Sequence, residues 1–378
     1  VADVAAASAA AGCGGDRMLH MLILMLVVCV FIQQQHQPAP ACRQQKALAA
    51  TPSAKDEEWE HQQWEVQWQD LLADVPAAHA TRSDQAAAQP QQQSFRQYEQ
   101  VVPDMQKQTG VIFPDVAQQV VQHELAGKGR KIIAVSLFGN SSKYTKGALE
   151  NAVLARRDWP GWVYRVYYGS GVPADVLSLI ELLGAELVDV SDRDMAQGRV
   201  SSTMWRFVAL LDRTATRTIF RDADARLTRR DKAAVGEWVQ SKHPFHTMHD
   251  HPAHKWPVLA GMFGVVNGLL HPHMIQELIA PNKLAGEAPR LKWFADQQWL
   301  KDKVWPHVKQ HTMAHAAWHC HRYGAATVRG FPTERQSATD FVGNRYEEEN
   351  DWQGETVTKS GNFTCPTECR RHPSWEQC

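Results

Sequence analysis

The chain has 378 residues, with 40 Lys and Arg against 41 Asp and Glu and a formal net charge of −1. That length accommodates one large domain with appendages, or two domains. Balanced charge, with Lys and Arg scattered rather than clustered, excludes a broad basic field of the kind that binds nucleic acid, and 14 Trp point to a well-filled core.

Residues 1–17 are Ala-rich and Gly-rich and read as a gene-model extension or a short cytosolic tail. Residues 18–32 are apolar, interrupted by His20 and preceded by Arg17. The run is short of the roughly 20 residues that span a bilayer. It fits a signal-peptide core, with Ala39-Pro40-Ala41 as a small-residue cleavage site, or an uncleaved signal anchor. Either reading sends the remainder to the ER or Golgi lumen: as a single-pass type II membrane protein if uncleaved, secreted if cleaved. Residues 33–128 form a Gln/Ala-rich stem with some helix, marked by the spacing of Trp64, Trp68 and Leu71. Residues 129–346 read as the folded domain and 347–378 as a Cys-containing tail. Cys320, Cys365, Cys369 and Cys378 could form two disulfides in an oxidising lumen, tying the tail down. The sequon Asn362-Phe363-Thr364 agrees with that address.

Within the domain, Lys131 to Phe138 is a continuous apolar run with the signature of a buried parallel strand, broken by Gly139. A helix through Ala148 and Leu154 follows, then a strand from Trp162 to Tyr168. Val176, Leu179, Ile180 and Leu183 mark a helix face, and Glu186 to Val190 a third strand. A helix is expected over Trp205 to Leu211, and Thr216 to Phe220 is a β-branched strand. Thr228 followed by Asp231 caps a helix through Trp238. Strands alternating with helices predict an α/β fold with a mainly parallel central sheet. Ligands of such sheets bind beyond the carboxyl ends of the strands. There is no Gly-x-Gly-x-x-Gly, no Walker loop and no Gly-x-Ser-x-Gly elbow, so dehydrogenase, kinase and α/β-hydrolase chemistry lacks its local residues.

The sharpest feature is Arg221-Asp222-Ala223-Asp224 at the end of the β-branched run. Side chains at i and i+2 of a strand point the same way. Two carboxylates so placed can hold one hard divalent cation, whose remaining positions go to substrate phosphates and water.

Around this motif the chain resembles a family of nucleotide-sugar glycosyltransferases of the GT-A type. The matching stretches are Ser136-Leu137-Phe138-Gly139; Tyr144, Gly147 and Asn151; Pro160-Gly161-Trp162; Trp205-Arg206-Phe207; Arg221 to Asp224; Glu237-Trp238; Phe245-His246; Asp250-His251-Pro252-Ala253-His254; Gly261-Met262-Phe263-Gly264; Asp296-Gln297; Phe331-Pro332; and Phe341-Val342-Gly343. The resemblance implies a GT-A-like single domain that moves a sugar from a UDP- or GDP-linked donor to a glycan or glycoprotein acceptor. Under it Asp222, Asp224 and the late His315 hold Mn2+ or Mg2+. Phe138, Gly139, Tyr144, Arg221, Asp222, His251 and Gly261 contact the donor, and Asp250, beside its sugar, is a catalytic candidate. Asp296 is the carboxylate at the acceptor or anomeric carbon. Three residues depart from the pattern: Ala225, His249 and Ala316.

The histidines allow other readings. His243, His246, His249, His251 and His254 crowd one segment and suggest a zinc-dependent hydrolase. A catalytically inactive GT-A-like glycan-binding protein is the third possibility. His311, His315 and His319 have helical spacing, and Trp293 and Trp299 read as core rather than sugar platform.

Overall fold

A computed structural model of the protein describes residues 110–190, 200–279, 294–345 and 364–378. The apolar run at 18–32, most of the stem, Trp293 and the Asn362 sequon lie outside the described residues. Among the described residues no helix is long and apolar enough to cross a membrane.

One eight-stranded sheet organises the domain, in the order β3-β2-β1-β4-β6-β5-β7-β8. Strand β1 (Arg130–Leu137) is central because Ile132, Ile133, Ala134 and Val135 present apolar side chains to both faces, and all four are fully buried. It runs parallel to β2 (Trp162–Tyr168) and to β4 (Ala215–Arg221), and β2 runs parallel to β3 (Glu186–Asp189). Helix α1 (Pro114–Leu125) precedes β1, and the crossovers carry α2 (Ser142–Asp158) from β1 to β2 and α3 (Ala174–Leu182) from β2 to β3. A 3-10 helix (Ser202–Leu211) leads into β4, where the sequence predicted an ordinary helix.

The second half is mixed. Strand β6 (Met262–Val266) is antiparallel to both β4 and β5 (Phe245–His249), while β7 (Thr312–Ala316) and β8 (Val328–Arg329) continue parallel to β5. Helix α4 (Arg229–Gln240) joins β4 to β5, and its Thr228 hydroxyl accepts from the Asp231 amide at 3.1 Å, the cap the sequence predicted. Helix α5 (Pro272–Ile279) follows β6, and α6 (Ala295–Trp299) opens a helical stretch leading to β7. The sheet is thus mostly parallel and flanked by helices, the α/β arrangement the sequence predicted. Its core joins the halves through Phe207, Phe220 and Phe263, the last two offset-stacked at 4.4 Å. Trp299, half-buried, stacks on Phe207 at 5.5 Å at the edge of this cluster.

Contacts at both ends tie flanking segments to the domain. Helix α1 falls in the stretch assigned to the stem, yet its Glu124 carboxylate receives the buried Arg217 guanidinium at 2.7 Å and the Phe113 amide bonds Leu269 O at 2.7 Å. The end of the stem is therefore part of the domain. At the other terminus, disulfides Cys320–Cys369 and Cys365–Cys378 hold residues 364–378 against the domain, and Arg371 pairs with Glu237 at 2.7 Å.

Candidate active site

Strands β1 and β4 are parallel neighbours, so their carboxyl ends open at one edge of the sheet. β4 ends at Arg221, and Asp222 to Ala225 form a turn closed by the Ala225 amide on Asp222 O at 3.3 Å. Asn151 of α2 clamps it from behind. Its Nδ2 donates to Ala225 O at 2.7 Å and its Oδ1 accepts from the Leu227 amide at 3.1 Å. Gly147 of α2 has to be glycine, because a Cβ there would overlap Ala223 O. The turn is thus held in place before any ligand arrives.

Asp222 projects outward, its side chain 43% exposed, with Oδ1 accepting from Arg206 Nη1 at 2.6 Å. Asp224 is only 7% exposed and pairs with Lys143 Nζ at 3.1 Å. Burial and then the nearby Asp222 charge push the Asp224 carboxyl above the usual range, against the pull of Lys143 and Arg345. Asp296, in the first turn of α6, lies 3.5 Å from Arg206 Nη2, so one guanidinium spans Asp222 and Asp296. Burial raises Asp296 too; Arg206 opposes that and the Asp222 charge adds to it. Three carboxylates therefore share one locality, two of them strained toward their neutral forms.

This donor set fits a hard divalent cation bound by two carboxylates, with the other positions left to phosphate and water. Lys143 and Arg206, absent from the predicted site, supply the positive charge facing these carboxylates. No spacing rule could have found them, since they arrive from α2 and the 3-10 helix.

At the exit of β1 lies an aromatic wall. Phe138 stacks on Tyr144 at 6.3 Å and meets the edge of Trp205 at 5.8 Å; Phe138 follows β1, Tyr144 lies in the first turn of α2 and Trp205 in the 3-10 helix. Gly139 turns the chain here in the left-handed region, at φ 71°. Phe138 and Tyr144 are half-buried, leaving ring surface beside the acidic turn. Trp205 is a further wall residue, quoted in the sequence pattern but not predicted for the site.

Other predicted residues take different work. Arg221 is buried, bidentate on Asp231 at 2.7 Å and bonded to Phe220 O and Phe263 O. It braces the turn and offers nothing to a phosphate. Gly261 gives Asp222 its room, since a Cβ there would overlap the Asp222 carboxylate. Asp250 is fully buried, bidentate with Arg230 at 2.7 and 2.8 Å, bonded to Arg335 at 3.0 Å and to the Val342 amide at 2.8 Å. Every acceptor site on it is spoken for, so the catalytic assignment is corrected: Asp250 is an internal anchor. His251 packs its ring against Phe341 at 4.8 Å, accepts from the Ala253 amide at 3.1 Å, and burial lowers it to about 4. It is a neutral packing residue in place of a donor contact.

His315 is not a metal ligand. It lies on strand β7 rather than on a surface helix, fully buried, with Nε2 3.0 Å from Glu237 and Nδ1 2.8 Å from His246. Both ring nitrogens are engaged away from the acidic turn. The zinc-hydrolase alternative fails on similar grounds. His246 is bound to His315, His249 to His254 O and Tyr323, and His254 to the Asp250 amide. Among the described residues no three His, Cys, Asp or Glu side chains converge on one metal position. His249 and Ala316 are fully buried in the β5–β7 pair, so these two departures touch no donor surface. Ala225 is buried inside the acidic turn.

No protein-family model matches the sequence, and no curated protein matches it. Solved structures that overlap part of it include glucosyl-3-phosphoglycerate synthase from Mycobacterium tuberculosis. With Mg2+ and UDP, that structure has 11% identity and a TM-score of 0.29, covering 40% of this chain and 60% of that one. In complex with Mn2+, UDP and phosphoglyceric acid the figures are 11%, 0.29, 43% and 62%. In complex with Mn2+ and UDP-glucose they are 12%, 0.28, 40% and 60%. The chain thus spans about three fifths of the length of these structures. At this level of overlap the likeness carries no functional weight, which rests on the residues above.

Proposed function

We propose that the protein is a metal-dependent glycosyltransferase that moves a sugar from a UDP- or GDP-linked donor to a glycan or protein acceptor in the secretory pathway. The observation that carries this reading is the Asp222-Ala223-Asp224 turn. It is clamped by Asn151 at the carboxyl edge of the sheet, beside the Phe138, Tyr144 and Trp205 wall. Asp222 and Asp224 would hold Mn2+ or Mg2+, which when bound supplies Lewis-acid charge to the departing diphosphate. The ring faces of Phe138 and Tyr144 suit a nucleobase, as aromatic stacking is tolerant of base identity. Arg206 orients Asp222 and Asp296 against each other through one guanidinium. Asp296 has a raised carboxyl and lies next to the acidic turn, which suits a group that takes a proton from an acceptor hydroxyl. Two disulfides support an oxidising lumen.

The test is release of nucleoside diphosphate from UDP- and GDP-sugars in Mn2+, with transfer followed on a glycan panel. Asp222→Ala is expected to lower turnover about 10²-fold or more, the scale of lost metal charge stabilisation. Equal turnover by Asp222→Ala and wild type would refute the proposal.

A further inference from the structure

The carboxylates of the acidic turn are already balanced by protein charge. Arg206 reaches both Asp222 and Asp296, Lys143 pairs with Asp224, and the Arg345 charge acts on Asp224 from a strand bridge at Ala225. Three carboxylates face three cations, so a divalent ion arriving alone meets a neutral site and must displace a resident charge.

These cations differ in freedom. Arg206 Nη1 is fixed on Arg221 O at 2.6 Å as well as on Asp222 at 2.6 Å, a planar fork locked to backbone. Lys143 has a flexible stem, and its ammonium has a second neighbour, the Tyr144 ring, 5.3 Å from its centroid. The Lys143 side chain is 14% exposed and Asp224 7%, so their attraction is only weakly screened by water. Lys143 sits in the first turn of α2, directly after the Gly139 bend at the mouth of β1, between the aromatic wall and the acidic turn.

Resting on the donor-site reading above, we infer that Lys143 is a competing cation for Asp224. It occupies the carboxylate when no ligand is present and is drawn off by the phosphates of a nucleoside diphosphate. The diphosphate rehouses the ammonium and leaves Asp224 free for the metal. Metal and nucleotide then bind as a coupled pair, each tightening the other by the same factor.

The test is titration of Mn2+ into the full chain, read by the electron paramagnetic resonance of free Mn2+, with and without UDP or GDP. Wild type is compared with Lys143→Met and Lys143→Arg. Wild type should bind Mn2+ weakly alone and about tenfold or more tightly with one nucleotide. Lys143→Met should bind Mn2+ alone about tenfold more tightly than wild type, the effect of removing one like charge at an ion-pair distance. Its coupling to nucleotide should shrink correspondingly. Lys143→Arg, which keeps the charge, should behave as wild type. Mn2+ affinity that is unchanged or weakened in Lys143→Met, while wild type still binds Mn2+ with nucleotide, overturns the inference and leaves the donor site standing. No Mn2+ binding by any variant with either nucleotide would overturn both.

Discussion

Asp250 and Asp224 are both buried aspartates facing basic side chains, and the sequence drew both into one site. Their surroundings separate them. Asp250 has two arginines, a backbone amide and no exposure, and Arg230 and Arg335 hold its carboxyl below the usual range despite burial. Asp224 has one lysine and a second aspartate beside it, and its carboxyl is pushed up. A fully satisfied carboxylate stabilises the fold. One held by a single flexible lysine beside a like charge costs stability, and its oxygens can exchange that partner for a ligand.

The largest expected effect is at the satisfied centre. Asp250→Ala strands the buried Arg230 and Arg335 charges and should cost about 3–5 kcal/mol in denaturant unfolding. The stability Asp250 contributes is complete above the unfolded carboxylate value, near ~3.9, and is lost as pH falls through its lowered folded value. An Asp250→Ala loss below 1 kcal/mol would erase the contrast. Next is the tail. Cys320→Ala removes the disulfide to Cys369 and should cost about 2–4 kcal/mol, read against the oxidised wild type.

Smaller effects sharpen the other side. Gly261→Ala pushes the half-exposed Asp222 carboxylate aside, and should cost less than about 1 kcal/mol while weakening metal-dependent nucleotide binding, measured by calorimetry. Unchanged binding would mean that Asp222 is not the ligand. Asp224→Asn should go the opposite way, raising the melting temperature by the equivalent of about 0.5–2 kcal/mol near neutral pH. Its raised folded value means that the cost vanishes below the unfolded value and grows as pH rises through the folded one. The stabilisation should therefore fade in acid.

The first half of the sheet was legible because its residues obey local rules. The 131–138 run gave β1, Trp162 to Tyr168 matched β2, and Thr228 capped α4 as read. The β5–β7 region was not. Its buried strands carry His246, His249 and His315, and polar residues on fully buried strands erase the apolar signal that marks such elements. The i, i+4, i+8 spacing of His311, His315 and His319 imitated a helix where β7 runs. In the site, Asp222, Asp224 and Asp296 were readable as acids, whereas Lys143 and Arg206 join them only through the crossing of α2 and the 3-10 helix over β1 and β4. The difference between Asp250 and Asp296 lies wholly in their partners, which no local pattern encodes.

The most direct measurement is calorimetric titration of UDP and GDP, with and without Mn2+, into wild type and Asp224→Ala. Binding of one nucleotide should depend on Mn2+ and disappear in the variant. Nucleotide binding that is indifferent to Mn2+ and intact in Asp224→Ala would contradict it.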